Sequence, residues 1–409
     1  MKVPFLDLKA QYASIKPQID AAIQGVVDGA EFVGGRALKE FEASFAREHR
    51  AKHCIGVANG TDALVVILKC LGVGPGDVVL TAANSFIASS EAVTLAGGTV
   101  RFVDCGPDYT IDVAALERAL EAQKKAGKPV RAVIPVHLYG RVCDMTRIGE
   151  LAKAHGCAVV EDCAQAHLGE RDGGVVGSFG AAASFSFYPG KNLGAYGDGG
   201  AITSNDDALA LKMRMYANHG RKEKYDHEFE GTNSRLDNLQ AAILNVKLGH
   251  LRAWTKARIA VADRYRERLA GTPNLELPSA APGLGHVYHL FVVRVPDRER
   301  VRLWREAPEA VKSIINFGIP ALTGTTWSTL EFPVLEQAIR ICIIRFEPRI
   351  DEKTLEVKIT NDLSTGVRPT SLRLVIRGQL WNQPVPLELL LSADVDVDTG
   401  QTAVRDMRG

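Results

Sequence analysis

No run of about 18 uninterrupted apolar residues occurs in the chain, so no segment reads as a helix able to span a bilayer. Neither sign of charge prevails. The 49 Lys and Arg residues stand against 48 Asp and Glu for a net charge of +1, which excludes the basic footprint of a nucleic-acid-binding surface. An even, patterned set of cysteines is missing too. The seven present, Cys54, Cys70, Cys105, Cys143, Cys157, Cys163 and Cys342, are odd in number and irregularly spaced, so no disulfide framework is indicated. Residues 1–12 lack the basic and apolar regions of a signal peptide. Internal repeats and low-complexity tracts are absent. Together these absences imply a reduced, cytoplasmic protein whose partners are small molecules or proteins, with no membrane and no nucleic acid among them.

What is present is a globular composition, 46% hydrophobic and 24% charged over 409 residues, long enough for two or three domains. From residue 54 to 204 short apolar runs alternate with amphipathic stretches, the pattern of a mostly parallel sheet covered by helices. The spacing predicts strands at 78–82, 99–103, 132–137 and 158–162, and helices at 88–96, 113–123 and 145–155. Residues 182–188 alternate and then turn. Helical spacing returns at 209–218 and 237–269, the second stretch leading towards a smaller domain, and 289–295 reads as a strand. Beyond Val301 the texture changes. A short helix near 334–346 precedes three runs with apolar residues at every second position, 355–359, 372–376 and 387–391, which fit a small sheet with one face against a helix.

Several residues carry chemistry. Lys191 follows the turn Pro189-Gly190, which projects its side chain from the sheet edge; taken alone, a lysine after Pro-Gly reads as a surface turn residue. Desolvation near other cations depresses a lysine pKa and leaves an amine free to attack an aldehyde. Asp162 ends the run 158–162, at the carboxyl edge where a parallel sheet presents ligand groups; its alternative is to cap the next helix. Gly60-Thr61-Asp62 opens a helix at 63–71, where free backbone N–H groups and the helix dipole face an anion; the alternative is an ordinary strand-to-helix turn. Ser186 adds a hydroxyl, and Phe86 a flat ring that alone reads as core. An amine, a carboxylate to keep the pyridine nitrogen protonated, a phosphate seat and a stacking surface are what pyridoxal 5′-phosphate (PLP) asks of a protein. Glu161, Asp162, Cys163 and His167 do not read as a metal site, because no second cluster matches them. Gly197-Asp198-Gly199-Gly200 follows no strand of a dinucleotide motif.

In this order the motifs resemble the DegT/DnrJ/EryC1/StrS family of nucleotide-sugar aminotransferases, a branch of the aspartate-aminotransferase fold. The likeness runs from Val3-Pro4-Phe5-Leu6-Asp7-Leu8 through Gly34-Gly35, Ala58-Asn59-Gly60-Thr61 and Glu161-Asp162-Cys163-Ala164-Gln165-Ala166-His167. It continues with Phe185-Ser186-Phe187-Tyr188-Pro189-Gly190-Lys191-Asn192-Leu193-Gly194, Gly197-Asp198-Gly199-Gly200, Asn218-His219-Gly220 and Asn233-Ser234-Arg235-Leu236-Asp237. The resemblance implies an α/β fold type I large domain. In it Lys191 carries PLP as a Schiff base and moves the proton in transamination, Asp162 pairs with the pyridine nitrogen, and Gln165 contacts the ring hydroxyl. Gly60, Thr61 and Ser186 hold the phosphate, and Phe86 stacks on the ring. Asn233 reaches the phosphate of the other subunit of a homodimer with shared active sites. His167, Tyr188 and Arg235 are candidate substrate contacts. Lysine rather than histidine at 191 implies transamination, with glutamate as donor and a nucleotide-linked 3-keto-6-deoxyhexose as acceptor.

From about residue 302 the family pattern stops. Trp304-Arg305-Glu306-Ala307, the stretch Ser313-Ile314-Ile315-Asn316-Phe317-Gly318-Ile319-Pro320, Leu322-Thr323-Gly324 and Arg345-Phe346-Glu347-Pro348-Arg349-Ile350 resemble the lysozyme-like baseplate wedge family of phage tails and type VI secretion systems. Members of that family are structural subunits, and no paired carboxylates for glycoside hydrolysis stand out. Glu347-Pro348-Arg349 implies a contact with other baseplate proteins. The expected organisation is a large PLP domain at 1–240, a truncated small domain at 241–301 and a small α+β baseplate-like domain at 302–409.

Overall fold

The computed structural model describes residues 6–223, 225–283 and 285–295. Within the tail it describes 333, 336–337, 339–340, 343–344, 351, 353–360, 371–380, 387–396 and 402–406. The chain divides into two compact units, Met1–Pro296 and Asp297–Gly409. Among the described residues no helix is long and apolar enough to cross a membrane.

The first unit begins with α1 (Leu8–Gly29), α2 (Arg36–Glu48), β1 (His53–Val57), α3 (Gly60–Cys70), β2 (Val78–Ala82), α4 (Ala88–Ala96) and β3 (Thr99–Val103). Next come α5 (Val113–Lys125), β4 (Val130–Ile134), α6 (Met145–His155), β5 (Ala158–Asp162), the short β6 (Glu170–Arg171) and β7 (Gly174–Val175), then β8 (Ala182–Ser186) and β9 (Gly200–Ser204). It closes with α7 (Asp207–Tyr216), β10 (Arg221–Glu223), β11 (Asp226–His227) and the long α8 (Asn238–Leu269). Several helices start where a side chain caps them. Asn59, Asp112, Asp144 and Asp206 each accept a hydrogen bond from the backbone N–H three residues on, satisfying a donor that the first turn leaves unpaired.

Seven strands form one sheet in the order β1-β9-β8-β5-β4-β2-β3. Neighbours from β8 through β3 pair in parallel, while β9 runs antiparallel to both β8 and β1. Helices cover both faces. Ala182 and Ile202 face the core built with α3, α4 and α7, whereas the adjacent Ala183 and Ala201 face the core built with α2 and α8, because successive side chains in a strand point to opposite sides. In the second of these cores Phe45 meets Phe185 and Phe187 edge-on at centroid separations of 4.9 and 5.3 Å, the geometry that aromatic quadrupoles favour. This layering brings the carboxyl ends of β5 and β8 to one rim, beside the start of α3.

Two expectations are corrected. The strand read at 132–137 is β4, Val130–Ile134; Pro135 has no N–H for the ladder, and beyond it Val136 makes only a single bridge to Asp162. Sharpened rather than overturned is the position of Lys191: the edge it leaves from is the carboxyl end of β8, a strand inside the sheet between β9 and β5. Residues 289–295 form no strand; Arg294 alone bridges, to Glu276, with reciprocal N–H to O bonds of 2.9 Å.

The second unit holds an antiparallel four-stranded sheet, β12 (Glu356–Thr360), β13 (Ser371–Leu380), β14 (Leu387–Asp396) and β15 (Thr402–Asp406), in that order. Leu355, Val357 and Ile359 are buried with Ile339, Ile343 and Ile344 packed against them, while Glu356 and Lys358 are exposed, as the alternation predicts. Residues 333, 336, 337, 339, 340, 343 and 344 are helical. The sequence reading found the first three strands and missed β15. The motifs at 304–307, 313–320, 322–324 and 345–350, like Val3-Pro4-Phe5, lie outside the described residues.

Candidate active site

The rim formed by β5, β8 and α3 surrounds a cavity of about 810 Å³. Gly60, Thr61, Phe86, Asp162, Gln165, Ser186, Tyr188 and Lys191 all line it. These eight residues come from four separate stretches of sequence, 60–61, 86, 162–165 and 186–191, so their meeting is a property of the fold.

Asp162, at the last position of β5, is buried. Its Oδ2 accepts from the Ser89 hydroxyl at 2.9 Å and its Oδ1 from the Ala164 N–H at 3.2 Å. Two fixed donors hold the carboxylate in place and aim it into the cavity, the placement that a protonated ring nitrogen needs opposite it. Ser85, on the cavity wall, shares a 2.8 Å hydrogen bond with Ser89. The neighbouring Glu161 points the other way and is fully enclosed. Its carboxylate accepts from the N–H groups of Gly177, Phe179 and Gly180 at 2.9 to 3.0 Å and from His137 at 3.2 Å. Among the described residues His137, Glu161 and Cys163 form the one grouping with metal-ligand atoms close together. Those backbone donors already occupy the Glu161 carboxylate, and the grouping serves to pin the loop entering β8.

Lys191 is partly buried, and that burial pushes its pKa down, with the Asp162 charge opposing the shift. The result is an amine more easily neutral, and so more nucleophilic, than a surface lysine. Asn59 caps α3 and takes up the Asp62 N–H at 2.8 Å, which leaves the N–H groups of Gly60 and Thr61 to face an outside acceptor at the positive end of the helix. A Cβ on Gly60 would stand 2.8 Å from Ser186 Cβ, so glycine lets the helix start and the Ser186 hydroxyl share one small cradle. Gln165 Oε1 accepts from the Tyr139 N–H at 2.6 Å, leaving its amide N–H₂ as a donor. Phe86 is 69% exposed, which removes its reading as core. The donor set fits PLP: a depressed-pKa amine, a carboxylate held by two donors, a phosphate-sized cradle and an open aromatic face.

Three residues fall outside the cavity. His167 is wholly buried against Phe185 and Phe187, with neither ring nitrogen hydrogen-bonded; burial and the surrounding cations hold it neutral, and it presents no surface to a substrate. Arg235 donates to Asn218 Oδ1 at 3.3 Å. Asn233 is exposed and bridges to Asn218. The sequence singles out neither Ser85 nor Ser89, and it names Ser234 within a motif without a role; its hydroxyl donates to Asp62 Oδ2 at 2.7 Å and steadies the start of α3. Isolated serines leave no sequence signal of such partners.

Comparison with known proteins gives the same picture over a wide span. Residues 13–332 match the DegT/DnrJ/EryC1/StrS aminotransferase family, and residues 289–385 match the baseplate wedge protein gp25, the two overlapping at 289–332. The chain is 43% identical over 320 residues to a dTDP-3-amino-3,4,6-trideoxy-alpha-D-glucose transaminase of Streptomyces venezuelae, covering 78% of this chain and 83% of that protein. The crystal structure of S. venezuelae DesV in complex with a ketimine intermediate superposes with a TM-score of 0.71 and 45% identity over 75% of this chain and 81% of that one. That of NtdA from Bacillus subtilis with bound cofactor PMP gives 0.70 and 30% identity over 82% and 78%. With its type I fold and a complete cofactor-fitting donor set, the chain belongs to the DegT/DnrJ/EryC1/StrS family of PLP-dependent aminotransferases.

Proposed function

We propose that the chain transfers an amino group from glutamate to C3 of a keto sugar nucleotide, a dTDP-linked 3-keto-6-deoxyhexose, with Lys191 as the residue that attaches PLP. The meeting of Lys191, Asp162, Ser186 and Gly60-Thr61 on one cavity carries this reading, and the name of the 43% identical transaminase supports the sugar class. When bound, PLP supplies an aldehyde for the amine and a ring that takes up electrons from the substrate carbon. Asp162, held by Ser89 and Ala164, keeps a proton on the ring nitrogen. Gly60, Thr61 and Ser186 fix the phosphate, Gln165 donates to the ring oxygen, and Phe86 covers one ring face. Lys191 Nζ, once neutral, takes the proton from the substrate carbon and returns it within the same site. Tyr188 and Arg235 are the remaining candidates for the substrate.

We infer further that two copies share their sites in the cytoplasm, Asn233 reaching the phosphate bound by the other subunit; its exposure outside its own cavity supports this. We place the truncation of the small domain near Val301 and read the tail, 302–409, as a separate domain that contacts baseplate proteins; the gp25 match over 289–385 supports the tail, while the aminotransferase match runs on to 332, past the point where the sequence pattern reads as stopping. Single-turnover assay of the PLP-loaded full chain tests the activity. The visible band of the cofactor shifts with glutamate and returns with the keto sugar nucleotide; no response to glutamate would overturn the aminotransferase reading, and a response to glutamate alone would show that the truncated part supplied the sugar site.

A further inference from the structure

Lys247 lies on α8 and is 1% exposed. Burial alone acts on its pKa, pushing it down to about 8, so no carboxylate offsets the cost of enclosing its ammonium group. Its Nζ donates to the Gly194 carbonyl at 2.7 Å and stands 4.2 Å from the centre of the Tyr196 ring, a cation–π contact. Gln240 is seven residues earlier, nearly two helical turns, and therefore shares the same face of α8. Its Oε1 accepts from the Tyr196 N–H at 2.8 Å. The Tyr196 ring also meets Tyr12 of α1 edge-on at 6.1 Å.

Both anchors grip one short segment, residues 191–198, whose end residues Lys191 and Asp198 line the cavity. The segment has little freedom of its own. Lys191 N–H donates to Tyr188 O at 2.8 Å and Ala195 N–H to Phe187 O at 2.7 Å. A Cβ on Gly194 would lie 2.3 Å from the Pro189 carbonyl oxygen, so the chain doubles back there on glycine alone. A segment this tight moves as a piece, and where α8 holds it decides where the Lys191 amine stands.

We infer that Lys247 is a positioning residue for Lys191, setting the amine's place in the cavity by holding the Gly194 carbonyl and the Tyr196 ring, with Gln240 as a second anchor. The inference rests on the reading of Lys191 as the PLP-bearing lysine. Its test uses the full chain titrated with PLP, reading the PLP dissociation constant and the pH midpoint of the visible band, with thermal melting alongside. Lys247→Met should weaken PLP binding about tenfold and move the midpoint, while Lys247→Arg, which keeps a donor for the carbonyl, should return binding to within about threefold of wild type. Tyr196→Leu should move the midpoint in the same direction; this ring is 39% exposed, so the variant serves if Lys247→Met does not fold. Wild-type affinity and midpoint in the folded variants, with only a lowered melting temperature, would overturn the inference. Wild-type protein that takes up PLP without attachment at Lys191 would overturn the reading of Lys191, and this inference with it.

Discussion

Replacing Ser89 with alanine removes one of the two donors that hold Asp162. The bond is 2.9 Å long, and Ser89 and Asp162 are 1% and 6% exposed, so solvent screens it little. A hydrogen bond to a charged group contributes about 1.5–3 kcal/mol, which as a change in binding or rate is about 10- to 150-fold. Ser85 lines the cavity beside Ser89, and water entering there recovers part of the loss, so the expected effect is at the lower end, about tenfold. It should appear in the PLP dissociation constant, read from visible absorbance, and in the rate of the glutamate half-reaction, read by stopped flow. Ser85→Ala removes only the outer hydroxyl and should cost about threefold. A Ser89→Ala protein that binds PLP and reacts with glutamate within about twofold of wild type would refute the role given to this bond.

Gly60→Ala should lower PLP affinity at least about tenfold, because the added Cβ meets Ser186 Cβ at 2.8 Å and its Cα at 3.2 Å and pushes the end of β8 away from the start of α3; equilibrium dialysis with PLP on the folded variant checks it, and unchanged affinity counts against the phosphate cradle. Acid should destabilise the first unit. Burial pushes His49 down to about 4 and His286 and His289 down to about 3, from 6.5, so the unfolded chain binds protons first. The stability from keeping these rings neutral is complete above pH 6.5 and is lost as pH falls towards 4, at up to about 1.4 kcal/mol per pH unit for each ring. Urea unfolding between about pH 6.5 and 5 should show this decline, shallower in His49→Gln; a flat profile would contradict the neutral buried rings.

Much of the sheet was legible because its strands are short apolar runs between amphipathic helices. β2, β3 and β5, with α4 and α6, begin and end where the spacing placed them. β9 was not, since Gly200-Ala201-Ile202-Thr203-Ser204 is buried throughout and so has neither alternation nor a strong apolar run. α1 and α2 lie before the first recognisable βα unit, and α1 carries Pro17 inside it, a residue that argues against a helix in sequence. At the site, Lys191, Asp162 and Gly60-Thr61 announced themselves by chemistry at strand ends and helix starts. Ser89 did not, because its partner is 73 residues away. His167 looked available within a polar motif, yet the turn after β5 tucks it beneath Phe185 and Phe187. Nothing in the spacing of 237–269 singles out Lys247, and only the packing of α8 against the 191–198 segment gives it a partner.

Borohydride reduction of the PLP-loaded protein, followed by peptide mapping, bears most directly on the chemistry placed at the end of β8. A stable pyridoxyl group should be found on the peptide containing Lys191 and should be missing from Lys191→Ala protein. An adduct on another lysine, or none in a protein that has taken up PLP, would contradict the assignment of Lys191.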